Sequence, residues 1–194
     1  MGGLMLYWEE ESEEDSEEEE YYDNPRREPK KWYFSYGSNT QAQMRERTGN
    51  HTLIPKKALI RGWDRVFRGW SNKWGGGTNY LSQSWSRVTT LGAAYKLTEA
   101  EFKKLDRYEG VRMRPPKYER YEADIEVRFP SEWRKVDAIL YNNLDIVETP
   151  PATQPSLAYL KATVKTLNEV GWKKRKPDGQ LRRLRVSDID PHNN

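Results

Sequence analysis

The sequence predicts an α+β fold of five to six strands and two or three helices, with no strict β-α-β alternation. Three observations carry that prediction. Tyr121, Ala123, Ile125, Val127 and Phe129 alternate with Glu122, Asp124, Glu126 and Arg128, the period of a half-buried strand. Leu97 to Phe102 holds a complete helix start, with Thr98 as N-cap, Glu101 as its capping-box partner and Leu97 opposite Phe102 as a hydrophobic staple. From Leu157 onward Leu160, Val164 and Leu167 recur at helical spacing, with Pro155 near the start and Gly171 just past the end.

At 194 residues the chain fits one domain with tails. Residues 1–30 read as a disordered acidic arm and linker, 31–172 as the domain and 173–194 as a basic C-terminal tail. Within the domain, Trp32 to Ser35 is the first core strand and runs into the turn Tyr36-Gly37-Ser38-Asn39. Ala58 to Phe67 reads as one further strand, with Trp63, Arg65 and Phe67 on one face. Ser71 to Gly77, with three consecutive glycines, reads as a flexible loop. Thr89 to Leu97 is a strand feeding the capped helix, which Gly110 ends. Pro130 closes the alternating strand, and Lys135 to Asn142 is its expected partner.

Composition narrows the chemistry. The absence of cysteine excludes disulfides, thiolate metal sites and a cysteine nucleophile. His51 and His192, the only histidines, give a serine–histidine triad or a histidine-rich metal site little material. No metal and no cofactor is expected. Residues 1–23 hold eleven acids and no Lys or Arg, so the other 171 residues carry +14 although the whole chain has a formal charge of only +3. Ser12 and Ser16, each followed by acids, suit an acid-directed kinase. There is no run of 18 apolar residues and no signal segment, so the cytoplasm is the expected location and no membrane partner is expected. The nucleus is the alternative, because Lys173-Lys174-Arg175-Lys176 and Arg182-Arg183-Leu184-Arg185 resemble a bipartite import signal or a nucleic-acid contact.

Glu109 is the anomaly in this pattern. Counted from the Thr98 cap, Phe102, Leu105 and Glu109 share one helix face, so a carboxyl group is aimed inward on an apolar stripe. Burial and the negative end of the helix dipole both disfavour its charge and raise its pKa toward the range of a general base. The other reading is a helix-end glutamate that reaches solvent or pairs with Arg107, Arg112 or Arg114. Upstream, the Gly-Ser-Asn turn gathers backbone N–H groups, a hydroxyl and an amide where a small anionic ligand can be held, or it is an ordinary strand-to-loop turn.

Tyr36 to Asn39, Ile60 to Phe67, Gly92 to Leu97, Leu105 to Gly110 and Ala138 to Tyr141, in that order and spacing, resemble the gamma-glutamylcyclotransferase family over residues 31–172. The resemblance implies a small mixed β-barrel with packed helices and a ligand pocket at one end. It implies an enzyme that cyclises a small-molecule gamma-glutamyl amine or amino acid to 5-oxoproline and free amine, with Glu109 as the catalytic acid and base. It also implies that Tyr36, Gly37, Ser38 and Asn39 grip the substrate, with Tyr118 and Tyr141 at the pocket rim. The sequence departs from the family at Thr40 and in the longer, basic stretch Arg112 to Pro116. The rival class is a non-catalytic binding protein on the same fold that contacts a protein or nucleic acid through its basic body and acidic arm. Arg61 to Tyr80 interleaves cations with aromatic rings in a way that can stack bases, although nucleic acid is not expected as the main partner.

Overall fold

The computed structural model describes residues 28–189, except 86, 149–151 and 178–179; the acidic run, Ser12, Ser16 and His192 lie outside the described residues. In chain order the elements are β1 (Lys30–Ser35), α1 (Gln41–Thr48), β2 (Lys56–Arg61), β3 (Trp63–Ser71), β4 (Gly76–Gln83), β5 (Thr89–Thr98), α2 (Glu99–Glu109), β6 (Glu119–Arg128), β7 (Trp133–Asn142), α3 (Leu144–Glu148), α4 (Leu157–Glu169), β8 (Lys173–Arg175) and β9 (Leu181–Arg183). Five strands close into a barrel in the order β1-β5-β2-β6-β7. Its pairs are antiparallel except β1 with β7, where Trp32 lies opposite Ala138, so the barrel is mixed.

Strand alternation divides the core. Phe34, Ala58, Ile60, Ala94, Ile125, Val127 and Leu140, one or two from each barrel strand, form a single buried cluster. The neighbouring residues Tyr33, Tyr95, Leu97, Ile139 and Tyr141 point the other way, onto Met44 of α1 and Phe102 and Leu105 of α2. The two helices therefore cover one side of the barrel and meet each other there.

Local chemistry explains where the expected outline changes. Ala58 to Phe67 is two strands, because Gly62 at φ 73° takes a left-handed turn that residues with a Cβ resist, and β3 leaves the barrel to pair with β4. Ser71 to Gly77 is the tight end of that hairpin. A Cβ on Gly77 would lie 2.4 Å from the Thr153 carbonyl oxygen, so glycine there serves close packing. Helix α1 escaped the apolar pattern because only Met44 and Thr48 are buried. Its signal was the capping box of Thr40 and Gln43, which gives the departure at Thr40 a physical reason. The basic segment from residue 173 forms the β8–β9 hairpin and a 3₁₀ turn at Val186–Asp188, and Leu184 packs on Val164 and Leu167 of α4. Asp188 gathers Lys174 and Arg182 there. The arginines of the Arg61 to Tyr80 segment are likewise engaged: Arg61 pairs with Glu126, the part-buried Arg65 donates to the Leu91 carbonyl, and Arg68 donates to the Val147 carbonyl.

Candidate active site

Thr98 fixes the register of α2 as the sequence requires. Its hydroxyl accepts from the Glu101 amide at 3.3 Å, and the Glu101 carboxylate accepts from the Thr98 amide at 2.8 Å. Phe102 and Leu105 are fully buried, and the next residue on that face is Glu109, whose side chain retains 13% exposure. Gly110 ends the helix in the left-handed conformation.

Two donors meet one oxygen of Glu109. Oε1 accepts from Asn39 Nδ2 at 3.0 Å and from Arg47 Nη1 at 3.4 Å, and the same Arg47 nitrogen donates to Asn39 Oδ1 at 2.7 Å. Among the described residues nothing donates to Oε2. Burial pushes the Glu109 carboxyl above its usual value, while Arg47 and the Asn39 hydrogen bond pull it back. The partner is thus Arg47 of α1, and not Arg107, Arg112 or Arg114.

Every residue singled out from the sequence faces one cavity of about 180 Å³: Tyr36, Gly37, Ser38, Asn39, Glu109, Tyr118 and Tyr141. Glu109 is the only acid that lines it among the described residues. Asn39 holds the carboxylate and also donates to Tyr33 Oη at 3.0 Å, so it is a positioning group. The amides of Gly37, Ser38 and Asn39 donate to no acceptor among the described residues. Tyr36 turns its hydroxyl inward to the Tyr141 carbonyl. Tyr141 Oη donates to Asp106 Oδ1 at 2.8 Å, and Asp106 is clamped by two bonds from Arg120. Tyr118 Oη donates to the Asn79 carbonyl at 3.3 Å and stacks on Tyr80. Burial holds the phenols of Tyr36, Tyr118 and Tyr141 well above their usual range, so they remain protonated donors.

The tertiary structure adds supports that the sequence did not mark. Asn79 of β4 donates through Nδ2 to the Tyr36 carbonyl at 3.3 Å, and its amide donates to Tyr159 Oη of α4 at 2.9 Å. The part-buried Arg65 donates to the same Tyr36 carbonyl at 3.0 Å and to the Leu91 carbonyl at 2.8 Å. Burial pulls this guanidinium down to about 10, which leaves it charged at neutral pH beneath the turn. Gly37 is not left-handed; a Cβ there would stand 3.3 Å from Tyr159 Oη, so close approach is what it permits. A larger groove of about 640 Å³ along Lys30–Trp32 and Asp137–Ile139 contains none of the predicted site residues.

The sequence profile of the family described as gamma-glutamyl cyclotransferase, AIG2-like, matches residues 33–161, from the first core strand to the middle of α4. The chain belongs to this family. The gamma-glutamyl cyclotransferase fold recurs in solved structures. An uncharacterized protein from Homo sapiens superposes with a TM-score of 0.63 at 23% identity, covering 74% of this chain and 82% of that one. A structure described as gamma-glutamyl cyclotransferase has a TM-score of 0.60 at 21% identity, covering 73% and 80%. A yeast gamma-glutamyl cyclotransferase specific to glutathione has a TM-score of 0.53 at 14% identity, covering 76% and 91%. At these identities the likeness speaks for the fold alone. A search of curated proteins finds no match.

Proposed function

We propose that this protein is a gamma-glutamyl cyclotransferase that releases 5-oxoproline from a small gamma-glutamyl amine or amino acid. The observation that carries the reading is Glu109: the single acid among the described residues that line the cavity, with Oε1 held by Asn39 and Arg47 and Oε2 left to meet a substrate proton. The substrate's α-ammonium gives a proton to Oε2, and the freed amine nitrogen attacks the γ-carbonyl carbon. Carbon–nitrogen bond formation closes the five-membered ring and places negative charge on the γ-oxygen. Glu109 then returns the proton to the departing nitrogen, the original amide bond breaks as the charge on the γ-oxygen collapses, and the ring nitrogen gives its second proton to the freed amine, so 5-oxoproline leaves with the departing amine as its ammonium. The step balances without a co-reactant.

The supports follow from the same geometry. Burial raises the Glu109 carboxyl above its usual value, which makes it a stronger proton acceptor than an ordinary carboxylate while it can still return the proton. The open amides of Gly37, Ser38 and Asn39 suit the substrate's α-carboxylate or the developing oxyanion. Arg65 and Asn79, both bonded to the Tyr36 carbonyl, polarise the peptide group that carries the Gly37 N–H. A screen of gamma-glutamyl compounds for 5-oxoproline release tests the reading. The expected result is release from at least one of them, abolished by Glu109→Gln; release from none, by protein that binds 5-oxoproline, would mark the pocket as a binding site only.

A further inference from the structure

Among the described residues, Lys117 is a half-buried cation without an acid to pair with. The backbone fixes its place: its amide donates to the Gly110 carbonyl at 3.1 Å, where α2 ends, and Asn143 Nδ2 donates to the Pro116 and Lys117 carbonyls at 3.0 and 3.4 Å. The residue lines the cavity, and its ammonium stands 5.6 Å from the ring centroid of Tyr118, which lines the cavity too. No carboxylate among the described residues comes within 4.0 Å of it, Glu109 included. Burial weakens its hold on its proton, and the field of Glu109 opposes that. A second lysine, Lys73 in the turn between β3 and β4, also lines the cavity, its ammonium over the Trp74 ring and likewise unpaired among the described residues.

Charge accounting then limits the ligand. The described lining holds three cations, Arg47, Lys73 and Lys117, and the one carboxylate of Glu109, which Arg47 engages. A gamma-glutamyl group carries its own α-ammonium and α-carboxylate and is neutral overall, so it leaves two ammonium groups without countercharge. A partly desolvated cation gains most from a ligand anion that replaces its lost hydration. We infer that the cavity selects gamma-glutamyl compounds whose departing amine itself bears a carboxylate, and that Lys117 is the specificity-determining residue that reads it. This rests on the proposed gamma-glutamyl chemistry of the pocket. Lys73 is exposed and contributes less, since water screens its charge.

The test uses the full chain and two ligands that differ only in that group, gamma-glutamylalanine and gamma-glutamylalaninamide. Both carry the α-carboxylate of the gamma-glutamyl group. Two quantities are read: kcat/KM for 5-oxoproline release, and Kd by calorimetry on the Glu109→Gln chain, where the ligand survives the titration. The acid is expected to be favoured over the amide by about tenfold or more in both, the usual worth of a hydrogen bond to a charged partner. Lys117→Met should bring the two within about twofold by lowering the acid toward the amide, and Lys117→Arg should restore part of the preference. Equal values for acid and amide in the wild type overturn the inference and leave the cyclotransferase reading intact. An equal loss for both ligands in Lys117→Met also overturns it, because Lys117 then holds the α-carboxylate. If neither ligand yields 5-oxoproline but the acid binds more tightly through Lys117, the inference stands and the cyclisation reading falls. If neither ligand binds, both fall.

Discussion

Replacing Glu109 with glutamine keeps the size and polarity of the side chain and removes the proton acceptor. Its Oε1 can still accept from Asn39 and Arg47, so the site should keep its shape. No substitute base stands by: no other acid lines the described cavity, and Asp106 is occupied by Arg120 and Tyr141. The loss of turnover should therefore reach the full worth of a general acid and base, about 10²- to 10⁴-fold, or about 2.7–5.4 kcal/mol of transition-state stabilisation. Stability provides an independent readout. Burial raises the Glu109 carboxyl above its ordinary 4.5 in the folded chain, so across the interval between the two values the folded state holds a proton that the unfolded state has lost. That interaction favours the folded chain at low pH and is lost as pH rises through the folded value. The glutamine variant lacks this loss, so its stability relative to wild type should grow as pH climbs from 4.5 and level off above the folded pKa. Product release followed by chromatography, with thermal melts across the same pH series, measures both. A folded Gln variant that turns over its best substrate within about tenfold of wild type would refute the assignment.

Arg47→Met removes the cation that opposes burial, so the Glu109 pKa should rise further and the acid limb of the kcat/KM profile should move to higher pH; an unmoved limb would mean that Arg47 does not govern this carboxyl. Gly37→Val puts a branched side chain 3.3 Å from Tyr159 Oη and should abolish both 5-oxoproline binding and turnover, whereas unchanged affinity by calorimetry would leave the turn a purely structural feature. Tyr159→Phe deprives the buried Asn79 amide of its acceptor and should cost about 1–3 kcal/mol of stability in denaturant melts; a wild-type midpoint would show that another acceptor replaces the hydroxyl.

The readable parts of this protein are the local ones. Thr98 and Glu101 are three residues apart, and the bonds between them suffice to place Glu109 on the buried face of α2, so one stretch of chain specifies the direction of that carboxyl. The alternation of β6 likewise declares its buried face before any partner is known. The motifs around Tyr36, Tyr95, Glu109 and Tyr141 were sufficient to bring the fold family into view. Gly62 shows the limit, since a single residue decided whether Ala58 to Phe67 ran on in the barrel or turned out of it. Helix α1 shows another: its apolar face is Met44 and Thr48 alone, too little for periodicity to detect, yet it delivers Arg47 to Glu109 across 62 positions of sequence. Asn39 meets Glu109 over 70 positions and Asn79 meets Tyr159 over 80. Such contacts leave no mark in spacing or composition. Barrel closure and helix docking decide them, and with them which cation tempers the carboxyl and which lysines line the cavity with no acid beside them among the described residues.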